Sequence, residues 1–164
     1  MSAQKIILNH DKWRKGIGGA PAGLAGENDG NAYAGLDLNL ITFASCVFDN
    51  SSFAATTFRQ AEWTGCQFRN CSFSNCDFED IKMTGCTFTN CVFTRSQFHN
   101  SQLRASKFDR CAWNELNFDS AQWFGVDVLD CTGTGVEAID LRGEQVAFTG
   151  SSFEHTEFVN ARIN

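Results

Sequence analysis

Proline and tyrosine are nearly missing from this chain, which has one of each, Pro21 and Tyr33, in 164 residues, and only two methionines. The Leu, Ala, Glu and Lys that dominate helical proteins give way to Phe, Thr, Ser, Asn and Cys, with 16 Phe alone. Those residues favour strands and turns over helix interiors. A length of 164 residues suits one domain. The composition therefore predicts a single domain of all-β structure.

Long apolar runs are missing as well. No segment approaches the roughly 18 apolar residues of a membrane span, and residues 1–8 lack the apolar stretch and cleavage site of a secretory signal. We therefore expect no membrane association and a reducing cytoplasm as the location. The formal net charge of −6 argues against direct binding of nucleic acid and favours a partner with a basic surface.

The chain does have a period of five. Large apolar residues recur at every fifth position from Phe43 to Trp123, without a slip, for 17 consecutive repeats. The same phase extends backwards to Leu38 and Tyr33. After an irregular stretch it resumes at Phe148, Phe153, Phe158 and Ile163. A second phase, two residues earlier, holds small or compact residues, including all eight cysteines: Cys46, Cys66, Cys71, Cys76, Cys86, Cys91, Cys111 and Cys131.

The repeating unit is thus small–x–large–x–x, where x is usually polar. A period of five fits neither the 3.6 of an amphipathic helix nor the 2 of an alternating strand. It fits a short strand with two inward side chains followed by a corner. Successive corners wind the chain into coils that pair through their backbones at about 4.8 Å. Identical side chains then stack in columns and fill the interior.

Three consecutive units, Cys66–Asn70, Cys71–Asn75 and Cys76–Asp80, have the form CXFXX. This pattern resembles the Cys/Phe-rich branch of the pentapeptide-repeat family, and the resemblance covers residues 33–164. It implies a right-handed quadrilateral β-helix, a pentapeptide-repeat solenoid with four repeats, or 20 residues, per coil. Residues 33–164 would form about six to seven coils, a rod of roughly 30 Å at about 4.8 Å per coil.

The two ends depart from the repeat. In residues 1–32, the Gly/Ala-rich stretch 16–23 is typical of a flexible linker, and residues 4–14 either cap the first coil or dock a partner. At the other end the repeat runs up to Asn164. An open solenoid end exposes unpaired backbone and core, and therefore needs a cap or a neighbour. We expect a homodimer through the C-terminal coil, or burial of that end by another protein.

Residues 126–146 are irregular and leave two alternatives open. The large phase reads Val128, Gly133, Ala138 and Gly143, so either one coil is thinly packed or the register shifts to place Leu141 in the large position. A shift needs compensating loops, which residues 132–135 could supply with two glycines. The phase returns at Phe148 without a net insertion, which favours the thin coil.

The cysteines are interpreted as core residues because all eight share one of five phases. A linear column of thiols does not converge on a tetrahedral zinc ion, and the parallel Cβ vectors of column neighbours suit a disulfide poorly. Burial should keep the thiols protonated and inert. The three histidines suggest no catalytic constellation, and residues 16–19 lack the Lys-Ser/Thr of a phosphate loop. We expect no metal, no cofactor and no enzymatic activity.

The outward charge is uneven. When each outward residue is assigned to one of four faces, the face of Phe58, Phe78, Phe98 and Phe118 carries Arg59 against seven carboxylates. A rigid acidic stripe attracts basic partners. The predicted partner-binding residues are Asp77, Glu79, Asp80, Asp119, Glu137, Asp140 and Glu157.

Two functions remain open from the sequence. Members of the Cys/Phe-rich branch that confer quinolone or microcin resistance are dimeric DNA mimics, so the resemblance implies binding to DNA gyrase or topoisomerase and its modulation or protection. The alternative is an interaction scaffold or adaptor, or an effector-associated module of a bacterial secretion system. In that case residues 1–32 would dock the partner and the rod would act as a spacer.

Overall fold

The computed structural model describes residues 2–164 and is a right-handed parallel β-solenoid of about seven coils. From Ala32 onwards, register partners on successive coils are 20 residues apart. Phe43 pairs with Trp63, Trp63 with Met83, and Met83 with Leu103. The predicted fold class and coil length are confirmed.

Four faces surround the core, numbered here in the order in which the chain visits them. Face 1 is an eight-stranded parallel sheet: Gly23–Ala25, Thr42–Ala44, Glu62–Thr64, Lys82–Thr84, Gln102–Arg104, Gln122–Phe124, Arg142–Glu144 and Arg162–Ile163. Face 2 has six strands: Asn28–Asp29, Val47–Asp49, Gln67–Arg69, Thr87–Thr89, Lys107–Asp109 and Asp127–Leu129. Face 3 has seven: Ala32–Ala34, Ser52–Ala54, Ser72–Ser74, Val92–Thr94, Ala112–Asn114, Thr132–Thr134 and Ser152–Glu154.

Face 4 is built differently because most of its coils contain a turn. Two strands pair near the C-terminal end, Glu137–Ile139 with Glu157–Val159. The coils before them are joined by single parallel bridges through residues 37, 57, 77, 97, 117 and 137. Within these coils the chain turns tightly; for example, the Ala61 amide donates to the Phe58 carbonyl over 3.2 Å.

The corners depend on the last residue of each repeat, which has a positive φ. Asn70, Asn90, Gly85 and Ala105 have φ values of 53°, 54°, 64° and 49°. Glycine reaches this left-handed region without strain, and Asn reaches it more readily than most residues. This explains why Asn, Gly and Asp are frequent at a position that the sequence pattern marks only as polar.

The core is a set of stacked aromatic columns. Phe48, Phe68, Phe88 and Phe108 stack in one column with 4.8 Å between ring centroids at each step and planes within 9° of parallel. That spacing equals the coil repeat. Each of these rings is at most 1% exposed. Stacking once per coil therefore fills the interior, as the period of five predicts.

The solenoid begins at Gly23, ten residues earlier than the predicted boundary at residue 33. Leu24 pairs with Phe43, and Asp29 takes an inward position in register with Phe48. The repeat pattern does not reveal the first coil because Asp29 and Tyr33 are four positions apart instead of five, and because a carboxylate occupies a large inward position. Asp29 is nonetheless satisfied, since Tyr33 Oη donates to it over 2.8 Å.

An α-helix, Ala3–Lys15, lies over the first coil. Ser2 caps its N-terminus and Gly16, in the left-handed conformation, ends it. Ile7 is fully buried, and His10 is fixed at both ring nitrogens. Its Nε2 lies 2.7 Å from the Asn39 carbonyl, and its Nδ1 accepts the Ala22 amide over 2.9 Å. These contacts tie the helix and the chain after it to the solenoid.

Residues 126–146 keep the register, as the thin-coil interpretation predicts. Gly133 pairs with Trp113 on face 3, and Gly143 pairs with Trp123 on face 1. Glycine therefore stands next to tryptophan in both columns. Across residues 2–164, no helix is long and apolar enough to cross a membrane.

Candidate protein-interaction surface

The predicted partner-binding residues all lie on face 4 and its corners. Asp77 and Glu137 belong to the bridged column, and Glu157 is the register partner of Glu137. They form two groups. Asp77, Glu79 and Asp80 share one coil, whereas Asp119, Glu137, Asp140 and Glu157 follow on later coils. The coil between the groups carries Gln97, His99 and Asn100 on this face.

Two of the seven carboxylates bond to the backbone. Asp77 Oδ1 accepts the Glu79 amide over 3.0 Å, and Asn117 does the same for Asp119 on a later coil. Asp119 Oδ1 in turn accepts the Ile139 amide of the following coil over 2.7 Å. Asp77 and Asp119 thus shape the turns as well as contributing charge. Sequence periodicity places a residue on a face but does not show whether its carboxylate bonds to the backbone.

Arg59 partly neutralises the negative charge of Asp77 and Glu79, which belong to the acidic group nearer the N-terminal end. Its Nε lies 2.7 Å from Asp77 Oδ2 and 3.8 Å from Glu79 Oε2. The hydrogen bond that Arg59 donates to the Asp77 carboxylate raises the pKa of the already cationic Arg59. The guanidinium is largely exposed, so the pair is screened and contributes little stability. The exposed carboxylates of Asp80, Glu137 and Glu157 are therefore the more available part of the stripe.

Face 1 carries the opposite sign of charge near its C-terminal end. Arg104 and Arg142 stand on neighbouring columns of its outer surface, and the Arg104 guanidinium lies over the Phe124 ring at 5.7 Å. Phe124 is 43% exposed. The Arg142 Nη1 donates to the Asn160 carbonyl over 2.7 Å. The solenoid thus presents an acidic face 4 beside a weakly basic face 1.

The eight cysteines are all buried free thiols in the small inward position. They also satisfy backbone groups. The Cys131 thiol donates to the Phe108 carbonyl over 3.3 Å, and its sulfur accepts the Cys111 amide over 3.3 Å. Ser151 repeats the pattern by accepting the Cys131 amide over 3.0 Å. The small position is therefore a hydrogen-bonding position, a role that residue size alone did not reveal.

All eight thiols are shielded from solvent. Burial raises the pKa of Cys76 from its ordinary value of 9.0 to about 12, because a thiolate is poorly solvated in the core. Within residues 2–164 no group of three or more His, Cys, Asp or Glu side chains is placed to hold a metal ion.

The last coil exposes apolar side chains. Phe158 and Val159 are 41% and 55% exposed, although Phe158 is in phase with fully buried phenylalanines. Phe148 and Phe153 are half-buried. This end and the acidic face 4 meet at Glu157, so an acidic surface and an apolar surface adjoin there.

The geometry and the repeat together define a class of protein. A family model for the pentapeptide repeat region matches residues 61–141, and a model for eight copies of the repeat matches residues 37–75. Together they run from residue 37 to residue 141, well over half of the chain. The chain belongs to the pentapeptide-repeat family.

Several solved structures are similar to this chain. Rfr23, a pentapeptide repeat protein from the cyanobacterium Cyanothece 51142, is 10% identical with a TM-score of 0.54, over 99% of this chain and 100% of that one. QnrB1, a plasmid-mediated fluoroquinolone resistance protein, is 12% identical with a TM-score of 0.45, over 88% and 94% of the two chains. HetL, involved in heterocyst differentiation regulation in Nostoc sp. strain PCC 7120, is 14% identical with a TM-score of 0.38, over 96% and 94%.

The likeness to Rfr23 agrees with the solenoid fold and carries no function, given the low identity. Among curated protein sequences, no match to this chain is found.

Proposed function

We propose that this protein is a non-enzymatic, cytoplasmic binding solenoid whose acidic face 4 docks onto the DNA-binding surface of a type II topoisomerase, DNA gyrase first, and modulates or protects it. The observation that carries the proposal is the concentration of seven carboxylates against one arginine on a single rigid face. Surface shape and charge are the means by which such a packed rod acts, since its inward side chains are buried.

The carboxylates on face 4 would imitate the charge of DNA at a lower density than DNA itself has. Asp77 and Glu157 are four coils apart, which is about 19 Å at the strand spacing of roughly 4.8 Å. Duplex DNA carries one charge per about 1.7 Å, or roughly 11 charges over that length. Seven carboxylates in fixed positions reproduce a fraction of this density. They favour steering of a basic surface and a binding that weakens with salt.

A homodimer through the C-terminal coil is part of the proposal. It is supported by the exposed apolar side chains of Phe158 and Val159, whose burial against a second copy would be favourable. A two-fold contact there would place two acidic faces on one longer rod, and would extend the charged length available to a partner.

A supercoiling assay with DNA gyrase tests the proposal. We expect micromolar protein either to inhibit supercoiling or to protect gyrase from a fluoroquinolone. The variant Glu137→Lys/Glu157→Lys should lose most of that effect, because both side chains are exposed and neither is needed for a turn. Glu62→Lys/Asp127→Lys is the matched control, since it makes the same charge change on faces 1 and 2.

The two variants separate the stripe from net charge. If both lose activity equally, overall charge and not face 4 governs binding. If the unmodified protein neither inhibits nor protects gyrase or topoisomerase IV at micromolar concentration, the DNA-mimic proposal fails. Capture of a different partner by face 4 would then favour the interaction scaffold.

A further inference from the structure

The helix Ala3–Lys15 supplies hydrogen-bond partners that a preceding coil supplies elsewhere. On a later coil of face 4, the Thr57 amide donates to the Leu36 carbonyl of the coil before it over 3.0 Å. Asp37 begins this bridged column, and its amide donates instead to the carboxylate of Asp11 on the helix over 2.7 Å. A helix side chain thus takes the place of a backbone carbonyl.

His10 has the corresponding role for a backbone carbonyl. The Arg59 carbonyl accepts the Leu40 amide of the preceding coil over 2.9 Å. Asn39 is the equivalent of Arg59 one coil earlier, and its carbonyl oxygen lies 2.7 Å from His10 Nε2. On the other side of the ring, Nδ1 accepts the Ala22 amide over 2.9 Å. His10 therefore joins the helix to two separate parts of the chain.

These two bonds require a neutral imidazole with its proton on Nε2. A backbone amide only donates and a carbonyl only accepts, so Nδ1 must keep its lone pair. A second proton would turn Nδ1 into a donor that faces the Ala22 N–H, and that bond would be lost. The ring is 1% exposed, so water does not replace the lost partner while the helix stays docked. Protonation of His10 and docking of the helix therefore oppose each other.

The charged side chains beside His10 on the helix are already paired. Asp11 Oδ1 lies 2.8 Å from Lys15 Nζ on the same helix. Arg14 Nε lies 3.2 Å from Asp37 Oδ1 of the solenoid. Two cations thus balance two carboxylates, and an imidazolium would have to compete for one of them.

The other neighbouring groups do not favour a cation either. Asp29, on the strand that contacts the helix, accepts the Tyr33 hydroxyl over 2.8 Å. Lys12 is exposed and carries the same sign of charge as a protonated ring. Trp13 lies against the imidazole with 5.4 Å between ring centroids and the planes tilted by 58°.

We propose that protonation of His10 releases the helix from the first coil and opens the edge that the helix covers. Histidine is the side chain that ordinarily changes charge between about pH 5 and about pH 8. The helix depends on its polar contacts, because Ala3 and Ile7 are its buried apolar residues and His10 and Asp11 are its buried polar ones. Release would free backbone groups for a strand of another molecule. This device is independent of the proposed contact with gyrase.

Hydrogen exchange measured by mass spectrometry on the full chain tests the proposal. After correction for the intrinsic pH dependence of exchange, we expect the protection of the helix amides to fall about tenfold between about pH 7.5 and about pH 5, the effect of losing one neutral hydrogen bond. The Thr87 amide of a middle coil, which donates to the Cys66 carbonyl, should keep its protection. That result distinguishes local release from unfolding of the solenoid.

His10→Gln is the decisive variant. A carboxamide can donate to the Asn39 carbonyl and accept the Ala22 amide, but it does not titrate. We therefore expect the helix of this variant to stay protected at both pH values. His155→Gln, at an exposed position, is the matched control and should lose helix protection at low pH as the unmodified protein does. Equal loss in His10→Gln would overturn the proposal and indicate Asp11 as the titrating group.

If His10→Gln does not dock at the higher pH, ¹⁵N spectra of the three histidine rings in the unmodified protein decide the matter. His99→Gln and His155→Gln assign the signals. We expect the His10 ring to carry its proton on Nε2 at the higher pH and to gain a second proton as the helix loses protection. A doubly protonated ring under a fully protected helix, or a helix that loses protection while the ring stays neutral, would contradict the proposal.

Discussion

Trp113 and Gly133 are register partners on adjacent coils, and Phe153 of the next coil pairs with the same glycine. The rings of Trp113 and Phe153 approach to 5.7 Å between centroids across the glycine, although two coil spacings separate their backbones. The aromatic rings lean into the space that a side chain at residue 133 would occupy. The two rings therefore fill this inward position of the thin coil, and the strands on either side of it keep their register.

Gly133→Ala should therefore destabilise the fold. The added Cβ would lie 2.7 Å from Phe153 Cε1 and 3.1 Å from the Trp113 carbonyl oxygen, so the ring must move. We expect a loss of about 1–3 kcal/mol, the usual cost of overpacking, measured by urea unfolding. The double variant Gly133→Ala/Phe153→Leu should recover part of the loss. The exposed neighbour Thr132→Ala should change stability by less than about 0.5 kcal/mol, and an equally small effect at Gly133 would contradict this account.

Alanine in the small inward position should be tolerated in some repeats and should destabilise the fold in others. Ser96 Oγ accepts the buried Cys76 amide over 3.2 Å, so Ser96→Ala should cost about 1–3 kcal/mol by leaving that amide unpaired. Ser101 differs. The corresponding amide one coil earlier, that of Ile81, already donates to the Phe78 carbonyl over 3.1 Å, and within residues 2–164 the buried Ser101 hydroxyl has no partner. Ser101→Ala should be neutral or stabilising, and equal losses in thermal unfolding for the two variants would refute the distinction.

The corner residues offer a matched pair of opposite substitutions. Gly85 and Ala105 occupy the same corner on successive coils with φ of 64° and 49°. An L-residue in the left-handed region costs about 1–2 kcal/mol. Gly85→Ala should therefore lower the unfolding free energy, and Ala105→Gly should raise it by up to a similar amount, reduced by the greater entropy of an unfolded glycine. Denaturation midpoints that shift in the same direction would show that corner strain is not the determinant.

The thiols should not react with thiol reagents in the native protein. At pH 8 we expect Ellman's reagent to titrate fewer than one of the eight cysteines before unfolding and all of them in concentrated guanidinium chloride. Thr84→Cys, at an exposed position of face 1, is the positive control and should add one fast-reacting thiol. Rapid modification of several native thiols would mean that the core opens readily.

The burial of Cys76 should make its own contribution to stability depend on pH. The pKa of Cys76 is about 12 in the folded protein against an ordinary 9.0, so the folded state holds the proton more tightly than the unfolded one. The stabilisation is complete below pH 9 and is lost as pH rises towards 12. Cys76→Ser should flatten the unfolding free energy over that window, and an unchanged slope would exclude Cys76 as a source of the pH dependence.

The period of five was enough to predict the solenoid, its inward columns and its acidic face. It identifies directly which side chains of each repeat point into the core and which point outward. It failed at Asp29, where a carboxylate stands in a large inward position and is satisfied by Tyr33. It also did not show that Cys131 accepts the Cys111 amide or that Asp119 accepts the Ile139 amide. Those roles depend on which amides the turns leave free, which side-chain spacing does not specify.

The helix Ala3–Lys15 also limits how molecules of this protein can join. A parallel solenoid has two distinct ends, and strand addition at both would give an open fibre. The helix is anchored across the first coil through His10 and Ile7, so a molecule that added strands at that end would have to displace it. If two molecules pair through the last coil, as proposed, the docked helix would keep the assembly from growing beyond that pair.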